Sequence, residues 1–398
     1  MFFSRRLTSF RAFMRVPVIR WLVVSHFFAN LFFYSTTIVL FQQQRGLNYT
    51  EIFLLETVLS GAILLAELPS SILADRFGHR FMIILGYALA LIDMPLFLFA
   101  HHFWMFVLAD AISGLSLACI SGCDSALLYN ELPPETREKD GNTAFALLRG
   151  AGSAGFFLGL FGGSFFGAYS PTLAVAVSII PSALAFVASL GLLGSRSRVP
   201  RETSLPAWRI VRDTWLLIRS QPGLVALGIW QALAFGLINA IFWYDQPYLL
   251  RVHVPVFLFG PIMAAAVGLQ TFFISHTATL QKRLGTPLLL LFSGVVSGCC
   301  YLVLALVTAA PATILAIAGV VAFSAWQQPV IENELNRRLE DTGRATALST
   351  VSLIASVAGM ALNAGIGRLG DLGMEITGLA LGLSLIVLGL MIPLLVRR

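Results

Sequence analysis

The sequence predicts an all-α membrane protein, with twelve transmembrane helices in two pseudo-symmetric six-helix bundles. Three observations predict it: a composition too apolar for water, twelve apolar runs of spanning length, and short motifs that recur at offsets of 202 to 207 residues. Of 398 residues, 57% are hydrophobic and only 12% charged, against about 45–50% and about 25% in soluble domains. So few charges cannot cover that much apolar surface, so lipid is the solvent for most of the chain. Soluble enzymes, secreted disulfide scaffolds and disordered chains are excluded, and no polar stretch is long enough to fold as a separate soluble domain.

Apolar runs set against polar breaks give spans at 20–42, 50–73, 81–100, 104–129, 143–166, 171–194, 223–246, 255–276, 286–309, 311–335, 344–368 and 374–396. Each is near the roughly 20 residues that cross a bilayer. Continuous apolarity at this length specifies helices, because barrel strands are shorter and alternate. The first run follows Arg5, Arg6, Arg11, Arg15 and Arg20 but has no clear cleavage site, so it reads as a first span and not a signal peptide. Cys119, Cys123, Cys299 and Cys300 lie inside apolar runs and read as small hydrophobes. They have no metal spacing and form no disulfide framework.

Sidedness follows from the cations. With the N-terminus in the cytoplasm, 22 of the 26 Lys and Arg residues fall on cytoplasmic segments. Only Arg45, Arg251 and Arg368 fall outside, and Arg149 lies within a span. That asymmetry places both termini inside. The longest polar break, 195–222, carries 6 arginines and separates an N-terminal bundle, 1–194, from a C-terminal bundle, 223–398. Within it, Trp208, Val211, Trp215 and Ile218 recur at helical spacing against Arg209, Arg212 and Arg219. That pattern suits an interfacial helix on anionic lipid.

The two halves read as copies. Asn130-Glu131-Leu132 recurs as Asn333-Glu334-Leu335, Asn142-Thr143-Ala144 aligns with Arg344-Ala345-Thr346, and Arg76-Phe77-Gly78 aligns with Arg283-Leu284-Gly285. Duplicated bundles with a substrate site between them are a transporter plan.

Between spans two and three lies Ser71-Ile72-Leu73-Ala74-Asp75-Arg76-Phe77-Gly78-His79-Arg80. It is similar to the Gly-x-x-x-Asp-Arg-x-Gly-Arg-Lys/Arg loop of the major facilitator superfamily, through Asp75, Arg76, Gly78 and Arg80, with Ser71 and His79 as departures. Glu67-Leu68-Pro69-Ser70 and the stretch from Ser121 to Tyr129 also resemble a bacterial branch of that superfamily. The resemblance implies a secondary transporter of the bacterial cytoplasmic membrane with spans one, four, seven and ten along a central path. Two other family patterns fit poorly. Where proton-coupled members carry Arg-x-x-x-Gly in span four, this chain has Asp110 to Gly114. Where antiporters carry a Gly-Pro-rich pattern in span five, it has Gly150, Gly152, Gly155, Gly159, Gly162 and Gly163 without proline.

Candidate residues follow. Asp75, with Arg76, Gly78, Arg80 and the facing Arg344, makes a candidate inner gate, since a carboxylate is stabilised by about 0.3–1 kcal/mol near a helix N-terminus. A topology-setting basic loop is the plainer reading of the same residues. On continuous helices, His26, Asn30, Tyr34 and Thr37 share one face of span one. Asp110, Gly114, Ser121 and Asp124 lie close together on span four. Asn239, Trp243 and Gln246 of span seven, with Gln328, Glu332 and Asn336 of span ten, complete a polar and aromatic cavity lining suited to an amphipathic organic solute. Trp243 also reads as an interfacial anchor.

Intramembrane acids are costly and mark function. Glu56, Asp110, Asp93 and Glu67 are the proton-coupling candidates, while Asp124 and Arg149 read as either an ion pair or a functional pair. No nucleotide-binding loop, nucleophile–base group or metal cluster appears, so no cofactor and no catalysis are expected. The expected energy source is the proton gradient, and the expected partners are a small-molecule substrate and lipid, with no nucleic acid and a monomeric state. The function expected is proton-coupled export, of the drug- or siderophore-efflux kind. The alternatives are proton-coupled or uniport uptake of a metabolite, or a non-transporting scaffold or sensor.

Overall fold

The computed structural model describes residues 13–132, 137–194, 222–338 and 344–396. Among them, every regular element is helical. Eleven helices are long and apolar enough to cross a membrane, and a shorter apolar helix, Pro17–Ala29, precedes them. The expected all-helical membrane architecture is therefore present. The interfacial helix expected at 207–219 lies outside the described residues.

The chain forms two compact units, Met1–Phe41 with Val58–Ser204, and Gln42–Thr57 with Leu205–Arg398. The segment Gln42–Thr57, which includes the first turns of span two, groups with the second unit. In the first unit, Ile19, Leu22, Met82, Ile83, Leu128 and Leu148 make a buried apolar core. Span one, Pro17–Ala29, packs on span six, Pro171–Leu190, and on span five, Arg137–Tyr169. Span three, His79–Leu98, packs on the first half of span four, Phe103–Ile120.

In the second unit, Leu227, Trp230, Leu289, Val330, Ile331 and Ile392 form the corresponding core. Trp230 Nε1 donates to the Leu388 carbonyl at 2.9 Å, so the large ring is buried with its one donor satisfied. Span nine, Thr286–Leu306, lies against span twelve, Met374–Val396, through Gly294, Gly298, Gly382 and Gly389. A Cβ on Gly298 would stand 2.6 Å from the Gly382 carbonyl oxygen, so only a glycine admits this approach.

The duplication inferred from sequence has a backbone signature. Gly78 ends span two at φ 92°, ψ 149° and Gly285 ends span eight at φ 81°, ψ 159°. Each then serves as the N-cap of the following span. This conformation is sterically open mainly to glycine. Each unit also ties this corner to the end of its fourth helix, by different residues: Arg80 of span three pairs with Glu131 at 2.5 Å in one, and Asn333 Nδ2 donates to Gln281 Oε1 of span eight at 3.2 Å in the other.

Candidate functional site

The four spans expected to line the central path are each broken within the apolar run, and those breaks place the polar side chains. Span one is helical over Pro17–Ala29 and Ile38–Gln44, with residues 30–37 unwound between. Span four stops at Ile120 and restarts at Cys123, turning through Gly122 at φ 76°. Span seven divides into Pro222–Asn239 and Ile241–Arg251, and span ten into Ala310–Ser324 and Gln327–Arg338. Spans two, three, five, eight, nine, eleven and twelve each run as one helix.

This corrects two expectations. His26, Asn30, Tyr34 and Thr37 do not share one helical face, because the helix ends before Asn30. Likewise Ser121 and Asp124 stand on either side of a turn and do not continue the stripe from Asp110 and Gly114.

The unwound stretch of span one survives in an apolar medium because protein covers its backbone. The Phe33 N–H donates to Ser178 Oγ at 3.0 Å, and Asn30 Nδ2 donates to the His26 carbonyl at 2.8 Å. The glycines of span five lie directly against it. A Cβ on Gly159 would stand 2.8 Å from the Phe32 carbonyl oxygen, and one on Gly155 or Gly163 would collide with the carbonyl of Phe27 or Phe33. The glycine stripe therefore admits unwound backbone, a closer fit than ordinary helix packing needs.

Beside it, Val23, Phe27, Phe28, Ala146, Leu147 and Gly150 line an apolar groove of about 580 Å³ between spans one and five. Tyr34 stacks obliquely near Phe97, with ring centroids 6.0 Å apart, and Thr37 is fully buried. Asp93 is 4% exposed and accepts a hydrogen bond from Ser113 Oγ of span four, so spans three and four share a buried acid. Asp110, on the same helix as Ser113, is half-buried.

Asp124 and Arg149 form no ion pair among the described residues; Arg149 is exposed and Asp124 Oδ1 accepts the Ser125 N–H at 2.5 Å.

In the second unit, Asn239 Nδ2 donates back to the Phe235 carbonyl at 2.8 Å, at the end of the first half of span seven. Trp243 lies against Phe53, and Gln246 is fully buried. Gln328 Nε2 donates to Glu332 Oε1 at 2.9 Å on an exposed face of span ten. Its neighbour Gln327 is 1% exposed, with neither side-chain polar atom partnered among the described residues.

Sequence reasoning passed over three polar groups. Gln327 lies beside the break in span ten. Asp371 caps the start of span two, accepting the Tyr49 N–H at 2.8 Å, the Thr50 N–H at 3.3 Å and the Thr50 hydroxyl at 2.5 Å. Asp245 is 3% exposed in the second half of span seven. An acid inside an apolar run was the available signal for Asp245, and its nearness to the assigned span end masked it.

The candidate gate residues sit at the corner between spans two and three. Asp75 is half-buried, Arg76 is exposed with its guanidinium 5.4 Å from the Phe77 ring centroid, and Arg80 is held by Glu131. The side chain of Arg344 lies outside the described residues. Glu67 is exposed and Glu56 half-buried, on one continuous helix as expected.

Residues 20–361 match the sequence model of the Major Facilitator Superfamily. The chain belongs to this superfamily. Solved structures agree on the fold. The nucleoside transporter NupG superposes with a TM-score of 0.79 at 13% identity, over 97% of this chain and 99% of that one. A POT family transporter gives 0.71 at 14% identity over 95% of both chains. A bacterial homolog of the human lysosomal transporter Spinster gives 0.70 at 16% identity over 96% of both. Comparison with curated proteins finds no match. The protein is thus an integral membrane secondary transporter of the superfamily, acting on a small-molecule substrate.

Proposed function

We propose that the protein exports a small amphipathic organic solute by alternating access, driven by the inward flow of protons across a bacterial cytoplasmic membrane. The observation that carries this reading is the set of four broken spans. Interrupted helices present backbone and polar side chains at mid-membrane depth, where transporters of this plan hold substrate and coupling ion. Around these breaks the side chains are mostly aromatic and apolar, with few polar groups: Phe27, Phe28 and the groove beside them in one unit, Trp243 and Asn239 in the other. Such linings favour solutes with a large apolar surface and one polar handle. Acids within the spans supply the means of coupling, since carboxylates inside a membrane are costly and mark proton paths. Asp93, Glu56 and Asp110 are the proposed set, with Glu67 at the end of span two as a gate-side acid.

The test begins with a thermal-shift screen of purified protein against amphipathic organic cations, nucleosides and short peptides, the latter two being solutes of the structural neighbours. Amphipathic cations should raise the melting temperature. Ethidium then serves as the transport probe in inside-out vesicles with an acidic lumen. Accumulation that collapses when the pH difference is dissipated is the expected result. Stabilisation by nucleosides or peptides alone would move the substrate class. Accumulation only in right-side-out vesicles with acid outside would reverse the direction to uptake.

A further inference from the structure

The second unit contains an acid that none of the coupling candidates includes. Asp245 lies one turn beyond the break in span seven, 3% exposed, and its Oδ1 has no hydrogen-bond partner among the described residues. Tyr244 and Tyr248 share its helix, and Tyr301 of span nine lies within electrostatic reach. Each hydroxyl is committed elsewhere. Tyr244 donates to the Ile366 carbonyl at 2.6 Å, Tyr248 to the Met374 carbonyl at 2.8 Å, and Tyr301 to the Leu237 and Ile238 carbonyls at 3.0 and 3.3 Å.

The charged groups nearby are likewise occupied or turned away. The two helices packed most closely on this segment, Ala310–Ser324 and Pro222–Asn239, carry no ionisable side chain at all. Span nine adds Cys299 and Cys300 besides Tyr301. Arg251, on the same helix as Asp245, bonds Glu375 at 2.8 Å and the Leu304 and Ala305 carbonyls at 3.4 Å. From span eleven, Arg368 is exposed and Asp371 is held by Tyr49 and Thr50. From the segment before Val58, Tyr49 packs on Tyr244, Glu51 caps the Asn48 N–H, and Glu56 is a second acid. Among the described residues, none of these groups supplies a cation to Asp245.

A carboxylate buried without a cation is too costly to persist in apolar surroundings, so something positive must accompany it. A metal cation needs several oxygens converging on it. Here the three tyrosine hydroxyls are committed to backbone carbonyls and one carboxylate oxygen has no partner among the described residues, which is enough for a proton and too little for a metal. Given the proton coupling proposed above, on which the role rests, we propose that Asp245 is a proton-binding site of the second unit, loaded in this arrangement and emptied when span seven exposes it.

The test is an infrared pH-difference spectrum of the purified full chain in lipid nanodiscs, which requires no substrate. Wild type should show the carbonyl stretch of a protonated carboxylic acid, shifted by deuterium exchange and by isotope labelling of the aspartates. Asp245→Asn should lose one such band, while Asp93→Asn keeps it. Asp245→Glu keeps a carboxyl group at this position and should shift the band out of the labelled-aspartate set, so the assignment does not rest on the folding of one variant. An identical band in Asp245→Asn overturns the proposal, as does loss of the wild-type band when sodium replaces choline at constant ionic strength. Because no transport is measured, failure of proton-driven export with an Asp245-dependent band would sink the coupling reading and leave the proton site standing.

Discussion

At the scale of single residues, two glycines thirteen residues apart on span five face opposite consequences. A Cβ on Gly163 would collide with the Phe33 carbonyl and stand 2.8 Å from Thr36 Oγ1, whereas one on Gly150 meets nothing within 4 Å. Overpacking a tight contact costs about 1–3 kcal/mol. Gly163→Ala should therefore lower the melting temperature of the purified protein measurably, and Gly150→Ala should not lower it. Equal effects would mean the unwound stretch of span one does not rest on this stripe. The glycines themselves are visible in the sequence. That they receive bare carbonyls was not legible, because the pattern of glycines is the same whether the neighbour is a helix or an unwound stretch of chain. Asp245 shows the converse limit. An acid in an apolar run is legible, but its isolation depends on where two tyrosines of its own helix and one of span nine send their hydroxyls.

At the scale of elements, hydropathy located the spans and missed their breaks. A break buried in protein leaves the apolar content of a run unchanged, and only the hydrogen-bonding of the backbone records it. Span four carries a hint in Ser121-Gly122, and span ten in Pro329, which has no N–H to give to the Ala325 carbonyl four residues earlier. Polar stripes drawn on continuous helices therefore failed in spans one and four.

Span two, by contrast, is continuous as expected, and its beginning is fixed by a residue 322 positions away. Asp371 accepts two of the backbone N–H groups that a helix start leaves unsatisfied. Replacing such a cap by alanine costs about 1 kcal/mol, or about a fivefold change in an opening equilibrium. Asp371→Ala should accelerate amide exchange at Tyr49 and Thr50 by that factor, with Asp371→Asn intermediate because its amide keeps one acceptor. Unchanged exchange at both amides would show that the contact holds nothing in place.

At the scale of the whole molecule, family and duplication were legible because lipid imposes them on composition, length and spacing, whereas the solute is chosen by a few side chains whose positions only the fold reveals. Charge distribution is the global property that remains to be tested. The three arginines expected outside, Arg45, Arg251 and Arg368, have acids close in sequence or in space: Glu51, Glu375 and Asp371. That end of the chain is thus near neutral, while 22 cations gather on the other side with fewer acids to offset them. Crossing the membrane with a cluster of arginines is unfavourable, so the richer side should stay in the cytoplasm.

Single cysteines placed in a chain whose four free cysteines have been replaced by alanine would report this orientation. In intact cells, a membrane-impermeant maleimide should label Arg45→Cys and Arg368→Cys, and should reach Arg209→Cys in the linker only after permeabilisation. Labelling of the linker alone in intact cells would invert the orientation and with it the direction of the proposed export. Labelling of both sides without permeabilisation would mean the chain inserts in two orientations, which the charge asymmetry forbids.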